Sequence, residues 1–397
     1  MRVSTLGSFQ NGLGLMQRLQ SALDQTQRQI SSGRRILTPS DDPVASARAI
    51  GIRESVARLD QFDRNANVAT NRLAQEEVAL QSANNVLQRV RELALQANNA
   101  TQSNESREQI AVELDELLDQ LVQIANQKDG TGAFLFSGNL KDTQPVSRTP
   151  FGFVYNGDQG QRFIQIGEGR QVADGDSGAD VFFSIKDGNG TFRGSPVAGN
   201  TGSGTLGTNS LVDPSAWVPD QYTVTFSSPD VYEVRDGSAL VVSIGPFQPG
   251  DTISFRGIEF AIDGQPDAGD EFLIEPSGNV DVFSAVEQLV SAVRTPVSDD
   301  ASRAALTNGL NSSLQSIDQG IGRVLDVRTQ VGSRLVAIEG QVDSNGAQIL
   351  SYRETLAGLE DLDYAEALSQ LSLQATTLEA AQQSFVRTQS LSLFNFL

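Results

Sequence analysis

The 397-residue chain has no cysteine and no histidine, and its only lysines are Lys128, Lys141 and Lys186. The lack of cysteine excludes disulfides and thiol chemistry. The lack of histidine excludes His-based triads and zinc sites of the usual type. Aromatic residues make up 6% of the chain, and the apolar fraction leans on Ala, Leu and Val, as in long helices. Basic residues number 29 against 49 acidic ones, a net charge of −20, which argues against nucleic acid as a partner because neutralising phosphate takes clustered Lys and Arg. No apolar run reaches the roughly 18 residues of a membrane span, so no membrane insertion is expected. The first residues lack the apolar core and cleavage site of a secretory signal peptide. Length allows two or three domains.

What the chain has is heptad rhythm. A first helix is predicted from about Val3 to Ile30, with Leu6, Phe9, Leu13, Met16, Gln20, Leu23, Gln27 and Ile30 on its seam. Ser31, Ser32 and Gly33 break it, and Pro39 biases Thr38 away from helical angles. Asp41 or Asp42 then offers an N-cap, with Pro43 just inside the next helix, where its missing N–H costs nothing. Capping accounts for both aspartates without metal or acid chemistry. From Ile52 a much longer seam runs through Leu59, Phe62, Ala66, Ala69, Leu73, Leu80, Ala83, Leu87, Val90, Ala94 and Ala97, interrupted only at Ser55 and Glu76. After a turn over Asn98–Asn104, a third helix is expected from Ser106 to Lys128.

From Ala133 to Asp281 the texture changes to Gly, Thr, Ser, Phe and Val in short alternating runs. Strands are expected at Phe151–Tyr155, Arg162–Ile166, Val181–Ile185, Tyr222–Phe226, Val231–Arg235, Ala239–Val242, Thr252–Phe255, Ile258–Ile262 and Glu271–Ile274. Asp236-Gly237 and, more weakly, Asn156-Gly157 read as hairpin turns. Pro196–Pro214 reads as a mobile loop. This stretch holds 20 acidic and 8 basic residues, a net of −12, which suits the outside of an assembly. Asp174, Asp176 and Asp180, and likewise Asp187 and Asn189, have the alternation of calcium loops. Neither group has the closing Glu of such a loop, and turn chemistry accounts for both.

Helical rhythm then returns, first with Val282, Val286, Leu289 and Val293. After Pro296 and a capping region at Ser298–Asp300, a long seam runs from Leu310 to Leu359, with Arg328 and Asn345 as polar interruptions that fix register. Glu360–Asp363 forms a second joint, where Asp361 or Asp363 can cap a last helix with Tyr364, Leu368, Leu371, Leu378 and Phe385 on its seam. The fold expected is α+β: a long antiparallel coiled-coil-like helical rod formed by the N- and C-terminal halves, with an inserted all-β domain. Its divisions are terminal coils at 1–42 and 360–397, a helical rod at 43–132 and 282–359, and the β insert at 133–281. Neither terminal helix can bury its seam except on the other or on neighbouring subunits, so ends that fold on assembly are expected.

Seven stretches carry a family resemblance. MRVST with ISSGRRILTPSDDPVASARA (Ile30–Ala49) resembles the N-terminal signature of the flagellar hook-associated protein 3 family, the flagellin-related proteins of the hook–filament junction. LQRVRELALQANNAT (Leu87–Thr101) is similar to the most characteristic helix of flagellins, where that surface packs subunits and, in some, binds innate immune receptors. FLFSGNLKDTQPV and GQPDAGDEFLIEP resemble the family's entry to and exit from the insert. DLDYAEAL and the ending SLSLFNFL resemble its C-terminal signature.

The resemblance implies a structural, non-enzymatic protein without cofactors. It implies export through the flagellar type III apparatus with a chaperone and an extracellular place in the flagellum. The partners it implies are hook-associated protein 1, flagellin and copies of itself. Expected assembly contacts are Leu6, Phe9, Leu13, Met16, Leu23, Ile30, Arg89, Arg91, Glu92, Gln96, Leu368, Leu371, Leu378, Phe385, Leu393 and Phe396. Pro39, Asp41, Asp42, Pro43, Asp361 and Asp363 form the joints and caps. The nearest rival is a flagellin filament subunit. A metallopeptidase in the insert needs His ligands that the chain lacks, and a soluble coiled-coil scaffold would form a small closed oligomer.

Overall fold

The computed structural model describes the backbone of residues 5–393 and the side chains of residue 7 and residues 9–387. The side chains of Leu6, Leu393 and Phe396 therefore lie outside the described residues. The helices are α1 (Thr5–Ser32), α2 (Pro43–Ala97), α3 (Asn104–Ala125), α4 (Val282–Val293), α5 (Asp300–Glu360) and α6 (Tyr364–Leu393), and every strand falls between α3 and α4. The chain is thus α+β, with antiparallel sheets inserted between helical halves. It forms two units, one of the residues up to Arg64 with those from Gln341 onward, the other of Asn65–Gly340.

The seam of α2 from Leu59 to Ala97 is buried at every apolar position named above. Its many alanines let neighbouring helices approach closely. On α5, Leu310, Ile317, Val324, Val331, Ile338 and Ile349 are buried. The shorter helices start on side-chain caps: the hydroxyl of Ser103 accepts the Ser106 N–H at 3.1 Å, and Asp281 Oδ1 accepts that of Ser284 at 2.7 Å.

Between α3 and α4, β1 (Val146–Thr149) and β2 (Gly152–Tyr155) form a hairpin, as do β3 (Phe163–Gly167) and β4 (Arg170–Ala173). Then β5 (Ile185–Lys186) pairs with β14 (Asn279–Val280). Beyond that two-strand stem lie β6 (Phe192–Pro196), β7 (Thr205–Leu211), β8 (Tyr222–Ser228), β9 (Val231–Arg235), β10 (Val241–Pro246), β11 (Thr252–Phe255), β12 (Ile258–Asp263) and β13 (Glu271–Pro276). They form a five-stranded sheet, ordered β10-β9-β8-β13-β6, and a three-stranded sheet, ordered β11-β12-β7. Val224, Phe226, Val234, Phe272 and Ile274 of the first share one core with Ile253, Phe255, Phe260 and Ile262 of the second, so the two sheets pack as a sandwich.

Three expectations for the insert are corrected. Val181–Ile185 is not a strand, because Ala179–Phe183 is a π-helical turn. Val181 and its neighbour Phe182 are both buried, unlike the alternate residues of a strand with one face in water. Asn156-Gly157 is not a hairpin turn, because β2 and β3 on either side of it belong to different sheets. Pro196–Pro214 is not wholly loop: it contains β7, whose Leu206 N–H donates to Asn308 Oδ1 of α5 at 2.7 Å, while Asn311 Nδ2 donates to the Leu206 carbonyl at 2.9 Å. The helix supplies the partners that its small polar composition hides. The turn at Asp236-Gly237 does join β9 to β10, but as a longer loop in which Ala239, not Gly237, takes the left-handed conformation (φ 62°). Asp236 Oδ1 holds that loop by accepting the N–H groups of Ser238 and Leu240.

Phe226 is fully buried at the centre of the sandwich. Phe226→Ala is expected to lower the stability of this unit by about 3–5 kcal/mol, read as a fall in the urea midpoint.

Candidate assembly surfaces

The two joints meet. α1 ends at Ser32, and Gly33 follows at φ 69°, where a side chain would meet the Tyr364 hydroxyl. The Gly33 carbonyl accepts the Leu362 N–H at 3.0 Å, and the Arg35 N–H donates to the Glu360 carbonyl at 2.7 Å. Arg35 Nη2 also donates to the Leu359 carbonyl at 2.9 Å, and Arg53 of α2 pairs with the buried Glu360 carboxylate. The first joint, the second joint and the start of α2 are therefore fastened at one place.

The aspartates of the joints act on backbone. Asp41 Oδ2 accepts the N–H groups of Thr38 and Leu37 at 2.8 and 3.0 Å, and those bonds lower its pKa. Asp42 caps α2, taking the Ala45 N–H on Oδ1 at 2.9 Å, and its pKa falls for that reason. Asp363 caps α6 by accepting from Ala365 and Glu366. Asp361 instead enters a β-bridge with Arg34. Pro39 lies exposed in the turn, and Pro43 is the first residue of α2.

α1 and α6 pack on each other. The Phe9 and Phe385 rings lie 5.2 Å apart, and the Thr26 hydroxyl donates to Gln374 Oε1 at 3.0 Å. Thr26, absent from the predicted seam, is the one buried residue of α1 among those whose side chains are described, whereas Met16, Leu23 and Ile30 are half-buried. On α6, Leu371, Leu378 and Phe385 are half-buried. Phe9 and Leu13 remain 43% exposed and Leu368 53%, joined by Leu15, Leu373 and Val386. An apolar surface this extensive on two paired helices is what a packing partner would cover.

On α2 the residues Arg89, Arg91, Glu92 and Gln96 are exposed, while Leu93 between them is buried. Arg89 Nη2 reaches Glu113 of α3 at 2.8 Å, and Arg91 Nε reaches Asp318 of α5 at 2.7 Å. Both arginines thus clamp neighbouring helices of their own chain while keeping an outward edge.

One cluster escaped the sequence reading. Glu76, which had looked like a flaw in the seam, is 1% exposed, and its Oε1 accepts the Asp176 N–H at 3.0 Å. Asp176 forms a two-pronged ion pair with Arg334 of α5 at 2.7 and 2.9 Å. Arg72, one turn before Glu76, bonds Asp129 at 2.8 Å and the carbonyls of Phe134 and Leu135, while Arg162 bonds Asp174. Asp174 and Asp176, considered above for calcium, are held by arginines. Among the described residues no group of three or more carboxylates is placed to hold a metal. The only advance signal for this cluster was a charge at Glu76 on an apolar seam, with Arg72 one turn away.

Three guanidinium groups here face four carboxylates: Glu76, Asp129, Asp174 and Asp176. Burial, and then the charge of Asp176, push the Glu76 pKa well above its ordinary 4.5.

Comparison with known proteins gives this architecture relatives. FlgL from Xanthomonas campestris is 35% identical in a crystal structure that matches 77% of this chain and 99% of its own, with a TM-score of 0.73. The chain belongs to the FlgL family, that of flagellar hook-associated protein 3. The flagellar junction protein FlgL from Legionella pneumophila is also 35% identical, over 73% of this chain and 98% of its own, at a TM-score of 0.69. Flagellar hook-associated protein 3 of Escherichia coli is 24% identical over 99% of both chains. Residues 3–141 match the bacterial flagellin N-terminal helical region. FlgL-family proteins are structural parts of the flagellum rather than enzymes, so this chain is a flagellar component that associates with others. Among the described residues no helix is long and apolar enough to cross a membrane.

The raised pKa of Glu76 sets a testable pH dependence. Below about pH 4.5 folded and unfolded chains both hold the proton; as pH rises through the raised folded value, that contribution to stability is lost. Glu76→Gln keeps an acceptor for the Asp176 N–H and removes the titration. The variant should therefore gain stability over wild type as pH climbs above about 4.5 in urea melts. A difference that stays constant with pH would show that Glu76 does not titrate.

Proposed function

We propose that this chain is the adaptor between hook and filament. One set of its helical contacts seats on hook-associated protein 1, another templates the addition of flagellin, and copies of the chain itself complete the junction. The observation that carries this reading is the relationship to a hook-associated protein along 99% of both chains, terminal helices included. The half-covered apolar faces of α1 and α6 support it, because a subunit held between two others needs helical surface on both sides.

On this reading Phe9, Leu13, Met16, Leu23, Ile30, Leu368, Leu371, Leu378 and Phe385, with the undescribed Leu6, Leu393 and Phe396, are inter-subunit contacts. Arg89, Arg91, Glu92 and Gln96 add a second contact through their outward edges. The terminal coils, helical rod and β insert divide at 1–42 with 360–397, 43–132 with 282–359, and 133–281. Export runs through the flagellar type III apparatus with a chaperone and no cleaved signal.

Deletion of the gene tests this. Hooks without filaments, with monomeric flagellin in the medium, are the expected outcome by electron microscopy and blotting. Persistent filaments would reject the adaptor role. Loss of filaments with no shed flagellin would make this chain the filament subunit instead.

A further inference from the structure

Two arginines stand at the wrong end of their helices. Arg107 lies in the first turn of α3 and Arg303 in the first turn of α5. A helix N-terminus carries partial positive charge, so a cation is disfavoured there unless something negative answers it. Arg107 is moreover 1% exposed, and its Nε has no hydrogen-bond partner. The bonds it does make go to neutral groups: Nη1 donates to the Gln102 carbonyl at 2.9 Å and Nη2 to Asn104 Oδ1. A buried charge left without a counter-ion is costly.

In a chain with 49 acidic residues, no ion pair among the described residues reaches Arg107 or Arg303. The carboxylates nearby are engaged elsewhere. Glu108 and Asp115 bind Arg294 at 3.2 and 2.7 Å, and Asp299 accepts the Ser302 N–H at 2.8 Å; Glu105 and Asp300 are exposed. The two arginines are nonetheless brought to one corner. The Val297 N–H donates to Asn104 Oδ1 at 3.0 Å, which ties the segment before α5 to the start of α3. One turn beyond Arg303, on the same face of α5, the Thr307 hydroxyl donates to Asn98 Oδ1 in the turn between α2 and α3 at 3.4 Å. Arg303 therefore lies over that turn, and burial followed by the charge of Arg303 lowers the Arg107 pKa.

We propose that Arg107 and Arg303 hold a small inorganic dianion, sulfate or phosphate, between the first turns of α3 and α5. Every charge that converges there is positive, the helix ends included, and an oxyanion offers acceptors to the unused guanidinium N–H groups. Two cations ask for two negative charges, which chloride does not supply. Arg107 is enclosed while Arg303 is half-buried, so the site suits a free ion entering beside Arg303 rather than a side chain of another protein. The ion fastens the turn between α2 and α3 to α5. This site goes beyond the adaptor reading and does not depend on it.

The test is sulfate binding by the purified full-length chain, in chloride buffer at fixed ionic strength. Isothermal titration calorimetry should find a single sulfate per chain, and the urea midpoint should rise with the logarithm of sulfate concentration. Arg303→Gln should fold normally, because that side chain has no ion pair to lose, and should weaken sulfate binding by about tenfold or more. Arg107→Gln should weaken it likewise; should that buried substitution prevent folding, Arg303→Gln decides alone. Arg323→Gln removes the same charge further along α5, where it pairs with Asp180 at 3.1 Å, and should bind as wild type does. Phosphate should replace sulfate, and chloride should not compete. Sulfate also stabilises proteins by exclusion from their surface, an effect all variants share. A midpoint that rises equally in wild type and Arg303→Gln, an absence of binding heat, or chloride competing as well as sulfate overturns the site.

Discussion

A charge taken out of water must be matched where it lies, and that constraint organises the larger unit of this protein. Arg72 and Glu76 occupy adjacent turns of α2, beside and within a seam rich in alanine and leucine. Neither is tolerable there alone. Arg72 is answered by Asp129 and by the carbonyls at the entrance to the insert; Glu76 is answered by a backbone N–H of the segment after β4; and that segment's Asp176 is answered by Arg334 of α5. Removing one member strands the others, a far larger loss than that of an exposed pair. The network therefore fixes the register in which α2, α5 and the start of the insert come together, a specificity that alanine contacts alone would not impose.

This shows where the sequence was legible and where it was not. The helices could be read because burial repeats every seven residues, and the seam from Leu59 to Ala97 is buried at each apolar position. β9 and β11 could be read because β-branched and aromatic residues alternate between clear turns. Glu76 could be seen only as an exception, because its partners Asp176 and Arg334 lie 100 and 258 residues further along the chain. β7 was hidden for a related reason: a Gly-, Ser- and Thr-rich strand carries little pattern of its own, and the asparagines that bind it belong to α5. The π-helical turn was mistaken for a strand because DVFF has strand-like composition, while its burial is dictated by rings at Phe136 and Phe283. Where an element takes its definition from distant partners, local pattern does not show it.

The smaller unit follows a different logic. Its joints are fixed by backbone hydrogen bonds and by a glycine in the left-handed region, yet the helices beyond them keep much apolar surface uncovered. Firm joints thus place terminal helices whose apolar faces stay incompletely covered. The predicted seam of α1 captured the apolar residues but missed Thr26, whose partner Gln374 is 348 residues away.

The stem that carries the sandwich has an evolutionary corollary. The Ser277 N–H donates to the Thr191 carbonyl at 2.9 Å and the Ser277 hydroxyl to the Asp187 carbonyl at 2.7 Å, so the chain leaves for the eight-stranded sandwich and returns from it side by side. A detour whose two ends already touch is a replaceable cassette. It can be lengthened, shortened or exchanged with a small loop-closure cost while the helices on either side keep their spacing. The sandwich is thereby free to diversify at a different pace from the helical part of the chain.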